Sequence, residues 1–371
     1  MPRRLDDGLA LVVGEHRIEG VPPLPWTNIV VTVSVGLRRS EDRCPSPMVN
    51  VLDKYYWSAV ASNAQADEYR ARDPGRRPLP QVDFLRPSGA PALYAPDSLA
   101  WQVFKNPVSL FIGGITAVLL ELAEERVRTG VWEHSTFPTD PLTRMQRTGL
   151  MTHVSVYAPA AVAEKLIRGV VAMHARVQGT TPKGTPYRAN DPELLNWVQC
   201  TASYGFMEAY AEFCRPLSDA QRDHFYRESM VSARLFLAHG APQSLAEQRQ
   251  QFERMRPHLE AHPIVLQFLE IVQRTSALPR ILRPLQSTMA RAAISLLPDW
   301  LTERLDLQGQ QWRLNPWERR MLKNLGTLFE RLPIPNTAPT LARRRMGLPA
   351  SYLYKRFTAT AGQGTMASAE P

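Results

Sequence analysis

The stretch DPLTRMQRT, Asp140–Thr148, predicts the start of a helix that presents two arginines and a hydroxyl together. An aspartate followed by proline is typical of a helix start, because the carboxylate caps free N–H groups and proline fits the first turn. Arg144, Arg147 and Thr148 stand three and four residues apart, so they share one face of this helix. Such a face is either an anion-binding clamp or an ordinary solvated surface.

The next segment, residues 159–177, is also predicted to be helical, and a histidine interrupts its apolar row. The apolar residues recur at spacings of four or seven: Val162, Leu166, Val170 and Val177. His174 falls in the same row. An imidazole on a core-facing row needs a hydrogen-bond partner or a metal ion, since burying it bare is costly. From the residues alone both interpretations stay open, and a hydrogen bond to a backbone carbonyl is the commoner one.

Several further motifs occur around these two helices in a fixed order. They are a GG pair (Gly113–Gly114), GVWEHSTF (Gly130–Phe137), DPLTRMQRT, MHARVQG (Met173–Gly179), GTPYRANDPELLNWV (Gly184–Val198) and FYRES (Phe225–Ser229). The series resembles the oxygenase family that includes the fungal MpaB oxygenases and the bacterial latex-clearing rubber oxygenases. The resemblance extends over Asn106–Gly240, and several motifs in the right order are more specific than any single one.

This resemblance implies an all-α fold, a single helical bundle domain with a globin-like core around a b-type haem. It also implies an oxygenase that uses dioxygen to attack an apolar, often isoprenoid or lipid-like, substrate, with oxidative cleavage of a carbon–carbon double bond as the reaction of the nearest characterised relatives. In the rubber-cleaving branch an arginine-x-x-lysine-threonine run precedes the histidine that ligates iron. That run falls on Arg144, Arg147 and Thr148, and the histidine falls on His174.

The resemblance therefore assigns a role to each of these residues. His174 is the predicted metal ligand. Arg144 is predicted to pair with a haem propionate, and Arg147 is predicted either to do the same or to shape the distal pocket. Thr148 is predicted to hydrogen-bond bound oxygen or a propionate, so Arg144 and Thr148 are the catalytic candidates.

Three other residues enter as secondary candidates. His134 is predicted either to bind a propionate or to belong to the turn before Asp140, the second being favoured. His153 lies five residues past Thr148 and points away from its face, so it is not expected to be a ligand. Glu228 is predicted to bond the free nitrogen of His174, as carboxylates often do for metal-bound histidines.

The chain departs from the family pattern at three places. Arg147 stands where the rubber-cleaving branch has a lysine, and a guanidinium has no free lone pair to give to iron. Gln199 stands where a histidine is expected. The apolar segment ends in Ala123, Glu124 and Glu125, where a histidine-proline pair is expected. These departures support an alternative hypothesis, a non-catalytic haem- or lipid-binding protein of the same family.

Composition narrows the remaining classes of function. Hydrophobic residues make up 44% of 371 residues, which is enough for a substantial core. The net charge of +9 is compatible with an anionic membrane surface, a nucleic-acid partner or an arginine-rich proteome. No basic motif with interleaved aromatic residues accompanies it, so no nucleic-acid partner is expected. Neither a nucleophile elbow nor a metalloprotease HExxH occurs, which argues against a hydrolase.

Cysteine content and hydropathy predict a cytoplasmic protein that is soluble or peripherally attached to a membrane. The three cysteines, Cys44, Cys200 and Cys214, are widely spaced and indicate a reducing compartment. The N-terminus does not resemble a signal peptide. The most apolar stretch, Val108–Ala123, is shorter than the roughly 20 residues needed to span a bilayer and is predicted to be a buried helix. Its two glycines would let another backbone or a cofactor ring approach closely.

The predicted organisation has four parts. Residues 1–97 form an irregular N-terminal arm with a candidate strand at Asn28–Leu37, a helix at Val49–Tyr69 and a Pro/Arg-rich connection. Residues 98–240 form the oxygenase-like core, and residues 241–340 add helices that complete the bundle. Residues 341–371 are predicted to be a basic loop, at Arg343–Arg345, followed by a disordered tail.

Overall fold

A computed structural model describes residues 81–354 of the chain, apart from residue 276 and residues 279–281. The chain divides into two compact units, Met1–Val51 and Leu52–Pro371, and every described residue belongs to the second. The predicted strand at Asn28–Leu37, the predicted helix at Val49–Tyr69 and the tail from residue 355 onward lie outside the described residues.

The fold is all-α, as predicted, and thirteen α-helices make up most of the described residues. The first seven are α1 (Leu99–Val103), α2 (Pro107–Ala123), α3 (Glu125–His134), α4 (Pro141–Tyr157), α5 (Ala160–His174), α6 (Pro192–Phe213) and α7 (Asp219–Leu235). The remaining six are α8 (Leu245–Met255), α9 (Pro263–Arg274), α10 (Gln286–Ile294), α11 (Asp299–Arg304), α12 (Pro316–Arg331) and α13 (Ala338–Arg345). Short 3-10 turns lie at Arg256–His258, Arg283–Leu285 and Gln310–Trp312.

The β-structure among the described elements is one small antiparallel hairpin between α5 and α6. Its strands are β1 (Gln178–Thr180) and β2 (Pro186–Arg188), with Gly179 opposite Tyr187. A side chain at Gly179 would collide with the Tyr187 ring, since a Cβ there would lie 2.7 Å from the phenol oxygen. The hairpin therefore packs an aromatic ring directly over a glycine.

Both Asp-Pro pairs start helices, as the sequence predicts. The Asp140 carboxylate accepts a hydrogen bond from the Thr143 backbone N–H at 3.4 Å at the start of α4. Asp191 accepts one from the Glu193 backbone N–H at 2.9 Å at the start of α6. In each case the proline occupies the first turn, where its missing N–H leaves no hydrogen bond unmade.

Helices α2 and α6 cross at two glycines and form the centre of the bundle. A Cβ at Gly113 would lie 2.7 Å from the Gly205 carbonyl oxygen, and a Cβ at Gly205 would lie 2.5 Å from the Gly113 carbonyl oxygen. The two backbones touch, so neither position has room for a side chain. The pair Gly113–Gly114 was predicted to let another backbone or a cofactor ring approach closely. At Gly113 the close neighbour is the backbone of α6.

The arginine run near the C-terminus is not the basic loop that the sequence predicts. Arg343, Arg344 and Arg345 form the last turn of α13. Arg345 is 1% exposed and donates hydrogen bonds to the carbonyl oxygens of Phe84 (2.8 Å) and Ala90 (2.9 Å). The prediction was wrong because a guanidinium with several donors can satisfy buried carbonyl groups as well as face water.

Among the described residues, no helix combines the length and the apolar character needed to cross a bilayer.

Replacing Gly113 by alanine is expected to destabilise the protein by about 2 kcal/mol or more, because the added methyl group meets backbone that cannot move aside. Gly169→Ala is the matched control, since it lies in the exposed face of α5 with no atom within 4 Å of a built Cβ. The control is expected to be neutral or stabilising by up to about 1 kcal/mol through helix propensity. Thermal or denaturant unfolding checks both, and equal stability of the two variants would contradict the close-packed crossing.

Candidate active site

The row that carries His174 is only partly buried, and three of its apolar members, Val162, Leu166 and Val177, pack against the hydrophobic core. The fully buried residues of α5 are Ala163 and Ile167. The predicted apolar row is only partly buried: Val162, Leu166, Val170 and Val177. His174 is partly buried with them. The row is apolar, as predicted. Its residues are less buried than predicted, because α5 lies at the edge of the bundle.

Two effects favour the neutral form of the His174 imidazole. Burial lowers its pKa below the ordinary value, and the positive charge of Arg144 lowers it further. The ring makes no hydrogen bond with any residue that the structure describes. A neutral imidazole with free ring nitrogens is the form of histidine that binds metal ions.

Arg144 lies on α4 and is tied to Thr148 one turn later. Its guanidinium donates to the Thr148 hydroxyl, which in turn donates to the Arg144 carbonyl oxygen at 3.0 Å. Burial lowers the pKa of Arg144, the carboxyl group of Glu121 raises it, and the charge of Arg147 lowers it. An arginine stays protonated through shifts of this kind, so the site holds a fixed positive charge.

Glu121 is a site residue that the sequence analysis missed. It lies near the C-terminal end of α2, and burial raises its pKa to about 7, opposed by the charge of Arg144 and by the Thr201 hydroxyl. That hydroxyl donates to the Glu121 carboxyl at 3.4 Å from the neighbouring helix α6. The signal was present in the sequence, because Glu121 is the one charged residue in the otherwise apolar α2.

Three helices therefore contribute charged or titratable groups to one region. Glu121 comes from α2, Arg144 from α4 and His174 from α5, and the charge of Arg144 acts on both of the others. Of the predicted site residues, the structure brings together Arg144, Thr148 and His174, with Arg147 close enough to affect Arg144.

Apolar residues continue the face of α2 that carries Glu121. Phe111, Gly114 and Val118 precede it at helical spacing, and all four are partly exposed while the rest of α2 is buried. Gly114 lies beside the Phe206 ring, since a Cβ at this position would be in ordinary contact with Phe206 Cε1 at 3.8 Å. This glycine leaves a flat strip on α2 next to an aromatic ring.

These residue types fit the requirements of a haem. A haem brings four of its own iron ligands and needs one neutral imidazole, which His174 offers. Its propionates need cations, which Arg144 and Arg147 offer, and its ring needs a flat apolar wall such as that around Gly114. Within the described part of the chain, no cluster of three His, Cys, Asp or Glu side chains could hold a bare metal ion.

His134 has a partner away from Arg144 and His174. Its Nε2 lies 3.1 Å from the Tyr187 hydroxyl, which donates to the Glu133 carboxylate at 3.4 Å. His134 is the last residue of α3, and these contacts attach the end of that helix to the hairpin. A role for His134 in cofactor binding stays a prediction.

The predicted hydrogen bond between Glu228 and His174 is wrong. The Glu228 carboxylate caps the start of α1, where it accepts from the backbone N–H groups of Leu99 and Ala100 at 3.1 Å each. It also lies 2.9 Å from Nε2 of His224 on its own helix. The sequence correctly placed Glu228 on a helix. It did not show that backbone N–H groups at the start of α1 lie within hydrogen-bond distance of the Glu228 carboxylate.

His153 is a buried residue of α4 and is not placed with the site. Its Nδ1 lies 2.8 Å from the Gly149 carbonyl oxygen, and its ring stacks on Tyr157. Burial lowers its pKa to about 4, opposed by that backbone hydrogen bond. His153 is thus bonded within its own helix, and the expectation that it is not a ligand stays a prediction.

A model of the catalytic domain of the ER-bound oxygenases mpaB/B' and the rubber oxygenases matches residues 101–331. The chain belongs to this family. The match runs from α1 to the end of α12, so it includes the C-terminal helices beyond Gly240, where the motif resemblance fades. No curated protein and no solved structure matches the chain. The described domain is thus an oxygenase catalytic domain, and Glu121, Arg144 and His174 all lie within it.

Replacing Glu121 by glutamine is expected to make the protein more stable than the wild type above neutral pH. The raised pKa means that the folded state keeps a proton that the unfolded state releases between about pH 4.5 and about pH 7, so stability falls as pH rises through this window. The stability difference between Glu121→Gln and the wild type should therefore grow by about 3 kcal/mol between about pH 4.5 and about pH 8.

Unfolding curves measured across this pH range check the prediction. Glu270→Gln is the control, because Glu270 is an exposed carboxylate paired with Arg274 on α9. If the Glu121 and Glu270 variants follow parallel curves, the pKa of Glu121 is not raised in the folded protein.

Proposed function

We propose that this family oxygenase uses haem b, with His174 as the protein ligand of the iron, and that dioxygen is its co-substrate. The observation that carries the proposal is the neutral imidazole of His174 in the field of Arg144, on the partly open side of α5. A histidine whose neutral form is favoured and whose ring has no hydrogen-bond partner among residues 81–354 as described is suited to a metal, whereas a structural histidine has a carbonyl partner, as His153 has.

Haem, when bound, supplies the oxygen chemistry, and the protein supplies binding, orientation and charge. In this arrangement Arg144 and Arg147 offset the propionate charges. Thr148, held by Arg144, keeps that guanidinium fixed along α4. Fixing the arginine lowers the loss of side-chain entropy on cofactor binding.

We propose an apolar substrate of the isoprenoid or lipid class, attacked at a carbon–carbon double bond. Phe111, Val118 and Phe206 offer apolar surface beside the charged residues, and they are partly exposed although they lie on central helices. Apolar walls of this kind bind hydrocarbon and exclude water. The proposed reaction class, oxidative cleavage, follows the family and is not distinguished from hydroxylation by these walls.

Glu121 is proposed to hold or accept a proton during the reaction. Its pKa of about 7 makes both protonation states accessible near neutral pH, which is the property that a general acid or base needs. The Thr201 hydroxyl and the Arg144 charge both favour its ionised form, so a nearby change in charge would move its proton.

A second candidate function is a non-catalytic haem- or lipid-binding protein of the same family. Its support lies in Arg147 and Gln199, which replace the lysine and histidine of the family pattern. The Gln199 amide donates to the Ser203 hydroxyl on its own helix at 3.3 Å, so this side chain has a structural partner. A cytoplasmic location and a peripheral membrane contact remain proposals that rest on composition and charge.

His174→Ala is expected to abolish the haem Soret band and to reduce oxygen consumption with an apolar isoprenoid alkene to the rate of the buffer control. The full-length protein is expressed with haem supplementation, and its spectrum and oxygen uptake are measured. His258→Ala is the control, because His258 is an exposed histidine in the 3-10 turn after α8. It is expected to keep both the band and the activity.

The outcomes separate the two functions. A Soret band that depends on His174, without turnover, favours the haem carrier. A colourless wild-type protein after haem supplementation contradicts both haem proposals and leaves the family assignment to be explained by another cofactor.

A further inference from the structure

A cavity of about 500 Å³ lies beside the C-terminal half of α6, away from the Arg144 region. It is bordered by α6, the first turn of α7, the residues just after α10, and α12. Its volume is within the range of small-molecule binding sites. None of the residues proposed above for haem or oxygen chemistry lines it.

The two carboxylates that line this cavity have different numbers of cationic partners on its wall. Glu208 and Arg222 form a two-bonded ion pair, with nitrogen–oxygen distances of 3.0 and 3.1 Å. Glu212, by contrast, is shared by two cations. Arg319 contacts one of its oxygens, and Lys323 lies 3.0 Å from the same oxygen.

Arg222 faces a second carboxylate, Asp219, at 3.6 Å. The excess positive charge therefore lies only where Arg319 and Lys323 share Glu212. Arg319 and Lys323 stand one turn apart on α12, so both head groups converge on one place. The side chain of Lys323 is 45% exposed and can turn from Glu212 to a ligand without leaving its helix. The sharing lowers the pKa of Glu212 despite its partial burial, which keeps this carboxylate ionised.

The remainder of the cavity wall is largely apolar. Phe213 and Leu217 are buried core residues that line it, and Leu296 lines it from the end of α10. The Tyr204 hydroxyl, another wall residue, is already bonded to the Leu296 carbonyl oxygen at 2.7 Å. The cavity thus offers excess positive charge at one side and hydrocarbon at the other.

We infer that this cavity binds a small organic anion of the carboxylate class, with Lys323 and Arg319 contacting its charged group and Leu217 and Leu296 contacting its apolar body. The inference is independent of the proposed haem chemistry. The competing explanation is that the ion pairs serve only to join α6 to α12. If the ion pairs only join the helices, Glu212 is the natural partner of Arg319 and Lys323. If the cavity binds an anion, Glu212 competes with that anion for the same two cations.

The two explanations predict opposite effects for substitutions at Lys323 and Glu212. Octanoate is the probe, titrated into the full-length protein by isothermal calorimetry at neutral pH. Lys323→Met should weaken octanoate binding about tenfold, because one charge-assisted contact is lost. Glu212→Gln should tighten it about fivefold, because the competing carboxylate is removed. Arg320→Met, an exposed cation on the same helix, should leave the affinity unchanged.

Three further measurements complete the test. The neutral analogue 1-octanol should bind at least about tenfold more weakly than octanoate. Arg144→Met should leave octanoate binding unchanged, since that residue lies in the other site. Arg319→Met replaces Lys323→Met if the latter does not fold by circular dichroism.

Several results would overturn the inference. They are no heat of binding with octanoate, equal affinities for octanoate and octanol, a loss of binding in Arg144→Met, or weaker rather than tighter binding in Glu212→Gln. Each of these shows that the anion is bound elsewhere or that the cavity is only a structural junction.

Discussion

The contact between α2 and α6 at Gly113 and Gly205 is the constraint on which the site depends. Because the two backbones touch there, the positions of every residue above and below are fixed within a narrow range. Glu121 lies about two turns past Gly113, and Thr201 one turn before Gly205, which brings the carboxyl group to the hydroxyl. A wider crossing would separate this pair.

Electrostatics at the site follow from the same geometry. Glu121 and His174 are both driven toward their neutral forms by burial, and Arg144 is the fixed charge between them. Arg144 acts on the two groups in opposite senses, since it favours the carboxylate of Glu121 and disfavours the imidazolium of His174. One guanidinium therefore keeps the histidine available to a metal while holding the carboxyl group near its titration point. Lowering the pKa of Glu121 or of His174 alone requires only a cation near that residue. Lowering both requires a cation that is close to α2 and to α5 at the same time.

Much of this arrangement was predictable from local sequence, and the rest was not, for identifiable reasons. The starts of α4 and α6 followed from Asp140-Pro141 and Asp191-Pro192, because capping is decided within four residues. The family and the all-α fold followed from ordered motifs. The interaction of Glu121 with Arg144 depends on how α2 and α4 are placed relative to each other in the fold, and no local sequence pattern encodes that placement. Its isolated charge in an apolar helix was nevertheless a usable signal.

The errors have one cause in common. Glu228 and Arg345 are charged residues whose partners are backbone groups, at the start of α1 and in residues 84–90. Residue type suggested a side-chain partner for Glu228 and solvent for Arg345. Backbone donors and acceptors at the ends of elements are invisible in a residue pattern, because every residue carries them. A charged side chain near a helix end therefore has a backbone alternative that only the fold reveals.

The same reasoning limits what net charge says about partners. Arg128 is buried, donates to the carbonyl oxygens of Leu122 and Ala123 and pairs with Glu260, and Arg345 is likewise used inside the fold. Such cations contribute to the charge of +9 but present little of it to an approaching molecule. Arg319 and Lys323 differ, because they share one carboxylate at a cavity wall and keep a net charge where a ligand can reach it. The location of a cation and the number of its partners, more than the total charge, decide whether it can bind an anion.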